Sequence, residues 1–172
     1  MLYFYNMSES DTTTTPSGVD TGVRFRVSGR IGRPVGEVFE AVANPGELSR
    51  YFTTGGAQGR LTAGATVTWD FSDFPGAFPV QVVEAIEGER IVLRWDPSPG
   101  TTPDDRPTTV TMTFAPLDDD TRTLVTITEE GWLDTEAGRT ASYGNCEGWT
   151  GMLCALKVWT EHGINLREGF YI

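Results

Sequence analysis

Histidine occurs once in this chain and cysteine twice, and no apolar run approaches the roughly 18 residues of a membrane-crossing helix. A metal site needs several ligands converging within about 2.0–2.3 Å of one ion, in spacings such as C-x2-C or H-x3-H. Neither spacing occurs, so no metal is expected, and no cofactor. The two cysteines, Cys146 and Cys154, lie in a stretch that reads as helix. Eight residues of helix hold their Cα atoms about 12 Å apart, beyond the roughly 7 Å that a disulfide spans. They are expected as free thiols, which suits a reducing compartment.

Positive charge is also scarce. Against 24 acidic residues stand 13 basic ones, a formal charge of −11. That balance argues against nucleic acid and against an anionic membrane surface as the main partner. The opening "MLYFYNMSES" lacks the basic and apolar regions of a secretory signal, so a cytoplasmic protein is expected.

What the chain does have is length enough for one domain: 172 residues can bury about 70% of the unfolded surface. Residues 1–21, rich in Thr, Ser and Asp, read as a flexible tail whose Tyr3, Phe4 and Tyr5 are able to dock. "LYFYN" resembles an expression scar, with Met7 as a reasonable natural start. Residues 22–172 form the single domain.

Val23, Phe25, Val27 and Ile31 alternate with Arg24, Arg26, Ser28 and Arg30, the pattern of a half-buried strand. Pro34 then opens a helix with the apolar stripe Val35, Val38, Phe39 and Val42, ending near Asn44, and a second short helix follows over roughly Gly46 to Tyr51. Strand character returns in Ala65 to Phe71, Phe78 to Glu87, Arg90 to Trp95, Thr108 to Phe114 and Thr123 to Glu129, spaced as an antiparallel meander. Glu87 to Arg90 reads as a tight turn, and the Pro-rich Asp96 to Pro107 as a long mobile connection.

A long helix closes the chain from about Glu136 to Glu161. At 100° per residue, Cys146, Trp149, Met152, Leu153, Leu156 and Thr160 share one side, while Glu147, Gly151, Cys154, Val158 and His162 fall opposite. His162 then sits at the helix end, where the dipole favours an imidazolium. Gly151, Cys154, Ala155 and Val158 make a weakly apolar outer stripe, suited to a second subunit in a homodimer or to the aromatic tail.

Several local words carry a resemblance. "PVGEVFEAVANPGELSRYF" (Pro34 to Phe52), "GRLTAGATVTWDF" (Gly59 to Phe71), "ERIVLRW" (Glu89 to Trp95) and "GWTGMLCALKVW" (Gly148 to Trp159) resemble, in this order, signature segments of the SRPBCC or START-like superfamily. Tyr51 stands where that pattern usually has tryptophan. The likeness covers about residues 22 to 164 and is closest to the branch named after the heat-shock-protein-90 ATPase activator. It implies an α+β helix-grip fold: a curved antiparallel β-sheet wrapped around a long C-terminal α-helix, with two short helices after the first strand and often an apolar cavity inside. It does not imply one activity, because the superfamily includes lipid and hormone carriers, polyketide cyclases and aromatases, and chaperone activators.

Strand parity names the interior. If Val23, Phe25 and Val27 face the helix, so do Trp69, Phe71, Leu93, Trp95, Val110, Met112, Val125 and Ile127. With Trp149, Met152 and Leu153 opposite, these residues either fill a core or line a cavity for a small hydrophobic molecule. Glu129 continues the parity of Val125 and Ile127, and an inward carboxylate there is a polar anchor or a general acid or base. A bulge before Gly131, or an arginine partner, is the other reading of that residue. Glu130, of opposite parity, would meet Arg24 or Arg26 on the outer face.

The segments Tyr51 to Gly59 and Ser72 to Phe78, with Tyr143 on the long helix, suit a cavity rim. Three functions follow as expectations. They are binding of a small hydrophobic or aromatic molecule, a cyclase or aromatase in which Glu129 and Tyr143 move protons, and a chaperone-activator-like interaction module. The lack of an internal histidine counts against the enzyme.

Overall fold

The computed structural model describes residues 22–170, and the expectations for the tail 1–21 lie outside the described residues. Its frame is a seven-stranded, wholly antiparallel sheet. β1 (Val23–Ile31) lies at one edge, and β2 (Gly56–Gln58) at the other. Between them run β3 (Thr66–Phe71), β4 (Phe74–Ile86), β5 (Arg90–Trp95), β6 (Thr108–Leu117) and β7 (Arg122–Trp132), in the spatial order β1-β7-β6-β5-β4-β3-β2.

The two short helices, α1 (Val35–Ala43) and α2 (Pro45–Leu48), follow β1 as the apolar stripe foretold. Pro34 supplies no side-chain cap, and the Val35 N–H donates instead to the Asp120 carboxylate from the β6–β7 turn, at 2.8 Å. Asn44 ends α1 and caps α2, its Oδ1 accepting from the Gly46 N–H at 2.9 Å. α2 stops at Leu48 rather than near Tyr51, because the N–H groups of Phe52 and Thr53 both return to the Leu48 carbonyl and close the turn.

α3 (Glu136–His162) is capped by Thr135 and ends on Gly163 in the left-handed region, with His162 exposed in its last turn. At 1.5 Å per residue its 27 residues span about 40 Å. Its far end is tied to the β1–α1 junction. Glu161 accepts from the Gly32 N–H at 2.5 Å, and Arg33 donates to the Thr160 carbonyl at 2.8 Å.

The inward parity holds on β1, β3, β5, β6 and β7. Val27 pairs with Ile127, Ile127 with Met112 and Met112 with Ile91, forming a continuous apolar row across four strands. α3 lays Trp149, Met152, Leu153 and Leu156 over this face, all buried. Ala155 is buried as well, so the outer stripe of α3 is narrower than its periodicity suggested. Gly151 and Val158 remain half-buried and Cys154 exposed, and both cysteines are free.

Three connections depart from the sequence reading. Ser72 and Asp73 make a tight turn, so β4 begins at Phe74 and the supposed rim loop is mostly strand. Within the other rim segment, Gly56–Gln58 adds a short edge strand against Thr68, Trp69 and Asp70. The connection from Asp96 to Pro107 is anchored: Thr101 and Thr102 are buried, and the Leu133 N–H donates to the Thr101 carbonyl at 2.9 Å. Gly138 allows this approach, since a Cβ there would come within 2.1 Å of the Leu133 carbonyl oxygen and 3.0 Å of that of Thr101.

Candidate functional site

Glu129 is the unusual residue of the interior. In the β1–β7 register Arg24 faces Glu130 and Val23 faces Trp132, so the bulge falls at Gly131, whose φ of +111° suits glycine. The strand therefore keeps its alternation through Glu129 and points the carboxylate inward, at 0% exposure. Glu130 is exposed, opposite Arg24, as parity required.

Four donors surround that carboxylate. Oε1 accepts from the Thr108 hydroxyl at 2.7 Å, the Trp95 Nε1–H at 3.0 Å and the Asn145 Nδ2–H at 3.0 Å. Oε2 accepts from the Trp149 Nε1–H at 2.9 Å and from the Asn145 amide at 3.1 Å. All four partners are neutral, so no ion pair offsets the loss of hydration. Burial pushes the Glu129 pKa up, and the hydrogen bonds pull it part of the way back. Indole N–H groups only donate, so the carboxylate satisfies two tryptophans that would otherwise bury an unpaired polar group.

The anchored indoles form part of an aromatic box. Trp149 stacks on Trp95 at 5.4 Å and on Phe52 at 5.6 Å, with interplanar angles of 21° and 25°. Phe71 stacks on Phe78 at 5.9 Å, while Phe78 meets Trp95 edge-on. Trp69, 1% exposed, lies beneath Phe52, Trp95 and Trp149 in edge contacts. These rings enclose one side of a cavity of about 550 Å³ that opens between the β3–β4 turn, α3 and the segment after it. Its polar lining is Asp73, Asn145, Glu147 and Arg167.

The Arg167 Nη2 donates to both Asp73 oxygens, at 3.1 and 2.8 Å, and joins the C-terminal segment to the β3–β4 turn. Its guanidinium also lies 4.8 Å from the ring centroid of Phe71 and 5.5 Å from that of Phe52.

Of the residues named from sequence, Phe71, Trp95 and Trp149 line this cavity, Trp69 supports it from below, and Glu129 lies behind its wall. Met112 belongs to the closed core. Met152 and Leu153 are buried and border two other grooves along α3 rather than this one.

Tyr143 is 67% exposed and outside the lining, and makes no hydrogen bond to Glu129. The cavity opens beside it, at Gly144, Asn145 and Glu147, but helix geometry turns the Tyr143 ring away from the lining and from Glu129. Two residues of helix turn by 200°, so the face that sends Asn145 to Glu129 turns Tyr143 to solvent.

Phe52, Asp73 and Phe78 fall within the two segments expected at the rim without having been singled out there, and Asn145 and Arg167 were not foreseen. Asn145 had a usable signal, its four-residue spacing from Trp149, which puts both on one helix face. Arg167 had none, since it follows the last periodic segment.

The family model for Activator of Hsp90 ATPase homolog 1-like proteins matches residues 33–161. No match is found among curated proteins. Among solved structures, SSP2350 from Staphylococcus saprophyticus is similar with a TM-score of 0.69 and 24% identity, over 84% of this chain and 96% of that one. The Aha1 dimer from Colwellia psychrerythraea gives 0.65 and 18%, over 82% and 98%. DynU16, a protein in the dynemicin biosynthetic locus, gives 0.62 and 24%, over 84% of this chain and 48% of that one. These likenesses show a shared fold.

Proposed function

The chain belongs to the family of Activator of Hsp90 ATPase homolog 1-like proteins, and we propose that it binds a small hydrophobic or aromatic molecule in the cavity between sheet and C-terminal helix. Family membership leaves activity open, because one fold hosts many functions. The observation that carries the proposal is the aromatic box itself. The half-buried Phe78 and Trp95 and the exposed Phe74 border an open space of about 550 Å³, backed by the buried Phe52, Phe71 and Trp149. Ligand sites have this size and this make-up: mostly apolar walls with a few placed polar groups. DynU16, from a biosynthetic locus, is in keeping with a small-molecule role.

Glu129 enters this reading as the anchor of the walls. Its oxygens are engaged by four donors, and it is reached only past Trp95, Trp149 and Asn145. A cyclase-like reaction would need a proton-moving group at the ligand, and Tyr143 faces solvent. The geometry therefore favours binding over catalysis. A protein-interaction role would be supported by a filled interior, which the cavity speaks against. The same reading takes the protein as cytoplasmic and open to homodimerisation through the outer stripe of α3, which light scattering reads directly.

The test is a panel of neutral aromatic and aliphatic probes followed by tryptophan fluorescence and thermal shift, beside native mass spectrometry of protein from its own host. The expected result is saturable quenching with a rise in melting temperature that follows probe concentration, both weakened at least tenfold by Trp95→Leu. A bare protein mass together with a panel that leaves fluorescence and melting unchanged overturns the proposal.

A further inference from the structure

The charges around the cavity do not balance. Asp73, Glu147 and Arg167 line it, and Glu129 lies directly behind Trp95 and Trp149. Arg167 and Asp73 pair with each other in a largely buried ion pair, their side chains 12% and 15% exposed, and so cancel. Glu129 is held by neutral donors alone. No ion pair of the described residues includes Glu147. Two carboxylates are left beside an aromatic box with no cation to answer them.

Resting on the ligand-binding reading above, we infer that this cavity selects apolar aromatic molecules that carry a positive charge, a protonated or quaternary amine, over neutral or anionic molecules of the same shape. Two features converge on that class. The faces of aromatic rings are negative, and a cation over indole or phenyl is drawn to them most strongly where water is excluded. This protein already holds a cation on such faces: the Arg167 guanidinium lies over Phe71 and Phe52. Further along the same wall the half-buried Trp95 reaches the cavity, with the buried Trp149 stacked between it and Phe52. Each of these indoles donates its N–H to a carboxylate, which polarises the ring and adds electron density to the face.

The second feature is what an anionic ligand would meet. To reach the one cation of the lining it would have to displace Asp73 from a two-oxygen contact, leaving a third carboxylate uncompensated at the mouth. A cationic ligand displaces nothing. Its charge approaches Glu147 at the rim and the field of Glu129 through the indole wall, in a partly desolvated space where such attraction is less screened than in water.

Three probes with one ring system test the inference: (2-naphthylmethyl)trimethylammonium, its neutral carbon counterpart 2-neopentylnaphthalene, and 2-naphthylacetate. Each is titrated into the full chain at neutral pH and one ionic strength, with tryptophan fluorescence as readout. The ammonium probe is expected to bind about 10-fold tighter than the neutral one, and the acetate weakest. Glu147→Gln, at an exposed position of α3, is expected to weaken the ammonium probe about threefold more than the neutral probe.

Equal or tighter binding of the neutral probe, or tightest binding of the acetate, overturns the inference and leaves the ligand-binding reading standing. A cation preference undiminished in Glu147→Gln, Glu129→Gln and the double variant overturns the assignment to these carboxylates. No binding by any of the three probes overturns the inference, and a negative neutral panel then removes the underlying reading as well.

Discussion

Two regions of one interior, built by the same strand alternation and roofed by the same helix, have opposite characters. Across β1, β7, β6 and β5 the row Val27, Ile127, Met112 and Ile91 packs solid with Leu156 nearby, and Ile127, Met112, Ile91 and Leu156 are each 0% exposed. Across the ends of β3, β4 and β5 the corresponding positions carry Phe71, Phe78 and Trp95, and there a cavity stays open. The difference lies in what each kind of side chain can do when space is left over. Aliphatic chains change rotamer and interdigitate until voids close. Trp95 and Trp149 are fixed at their N–H groups by Glu129 and at their faces by each other, so neither ring can tip into the gap. An open site in this protein follows from pinning large rigid groups, with a buried carboxylate as the pin.

The sharpest way to break that comparison is to truncate one residue in each region. Trp149→Ala removes a stacked ring and one of Glu129's four donors, and is expected to cost about 3–5 kcal/mol in urea denaturation and to abolish probe binding by the folded fraction. Ile127→Ala, in the closed region, is expected to cost about 2–5 kcal/mol while the folded fraction keeps its affinity. If Ile127→Ala loses affinity as fully as Trp149→Ala, the two regions are one mechanical unit and the contrast fails.

The closed region was the more legible in sequence. Period-2 alternation assigns the inward residues of β1, β3, β5, β6 and β7, and burial follows it on each; β4, whose register shifts between Val82 and Glu84, received no such assignment. The same rule pointed Glu129 inward, because a single bulge at Gly131 comes two residues too late to turn it. What parity could not supply is which atoms satisfy that carboxylate. Thr108 and Trp95 come from strands brought alongside by register, and Asn145 and Trp149 from a helix, so the cluster exists only once sheet and helix meet. Nor could it tell whether two indoles fill or line a space, since that depends on hydrogen bonds made at their edges. The Arg167–Asp73 closure was invisible for a simpler reason: 94 residues separate the partners, and neither falls in a periodic element.

Acid titration sharpens the comparison by setting Glu129 of β7, held against the middle of α3, beside Glu161 in the last turn of that helix. Burial raises the pKa of Glu129, so between the ordinary glutamate value and the raised one the folded state holds more proton than the unfolded state. Its contribution to stability is full at low pH and is lost as pH rises through the folded pKa. Burial also works to raise Glu161, but hydrogen bonds from Lys157 and the Gly32 N–H outweigh it and hold that carboxyl below its ordinary value. Its contribution is present above the unfolded pKa and is lost as pH falls through the folded one. Stability measured from pH 3 to 8 should therefore flatten in opposite senses in Glu129→Gln and Glu161→Gln. Glu129→Gln should also lose about 1–3 kcal/mol throughout, because an amide NH₂ in place of one oxygen faces donors. Slopes altered in the same sense by both variants would remove the distinction between them.

Tyr143 gives the smallest expected effect and tests where the open region stops. It lies between the end of β7 and Asn145 in sequence, and its neighbours Gly144 and Asn145 line the cavity, yet helix rotation turns its ring outward to 67% exposure. Tyr143→Phe should therefore stay within about 0.5 kcal/mol of the parent in urea denaturation, as surface changes usually do, and leave probe affinity and association rate unaltered. Asn145→Ala, two residues on, is the matched control. It should release one of Glu129's donors and weaken binding severalfold, since Trp95 and Trp149 then hang from a carboxylate free to shift. An affinity loss in Tyr143→Phe equal to that in Asn145→Ala would mean the binding surface extends beyond the cavity onto the outer face of α3, and that rings pinned by Glu129 are only part of what the ligand meets.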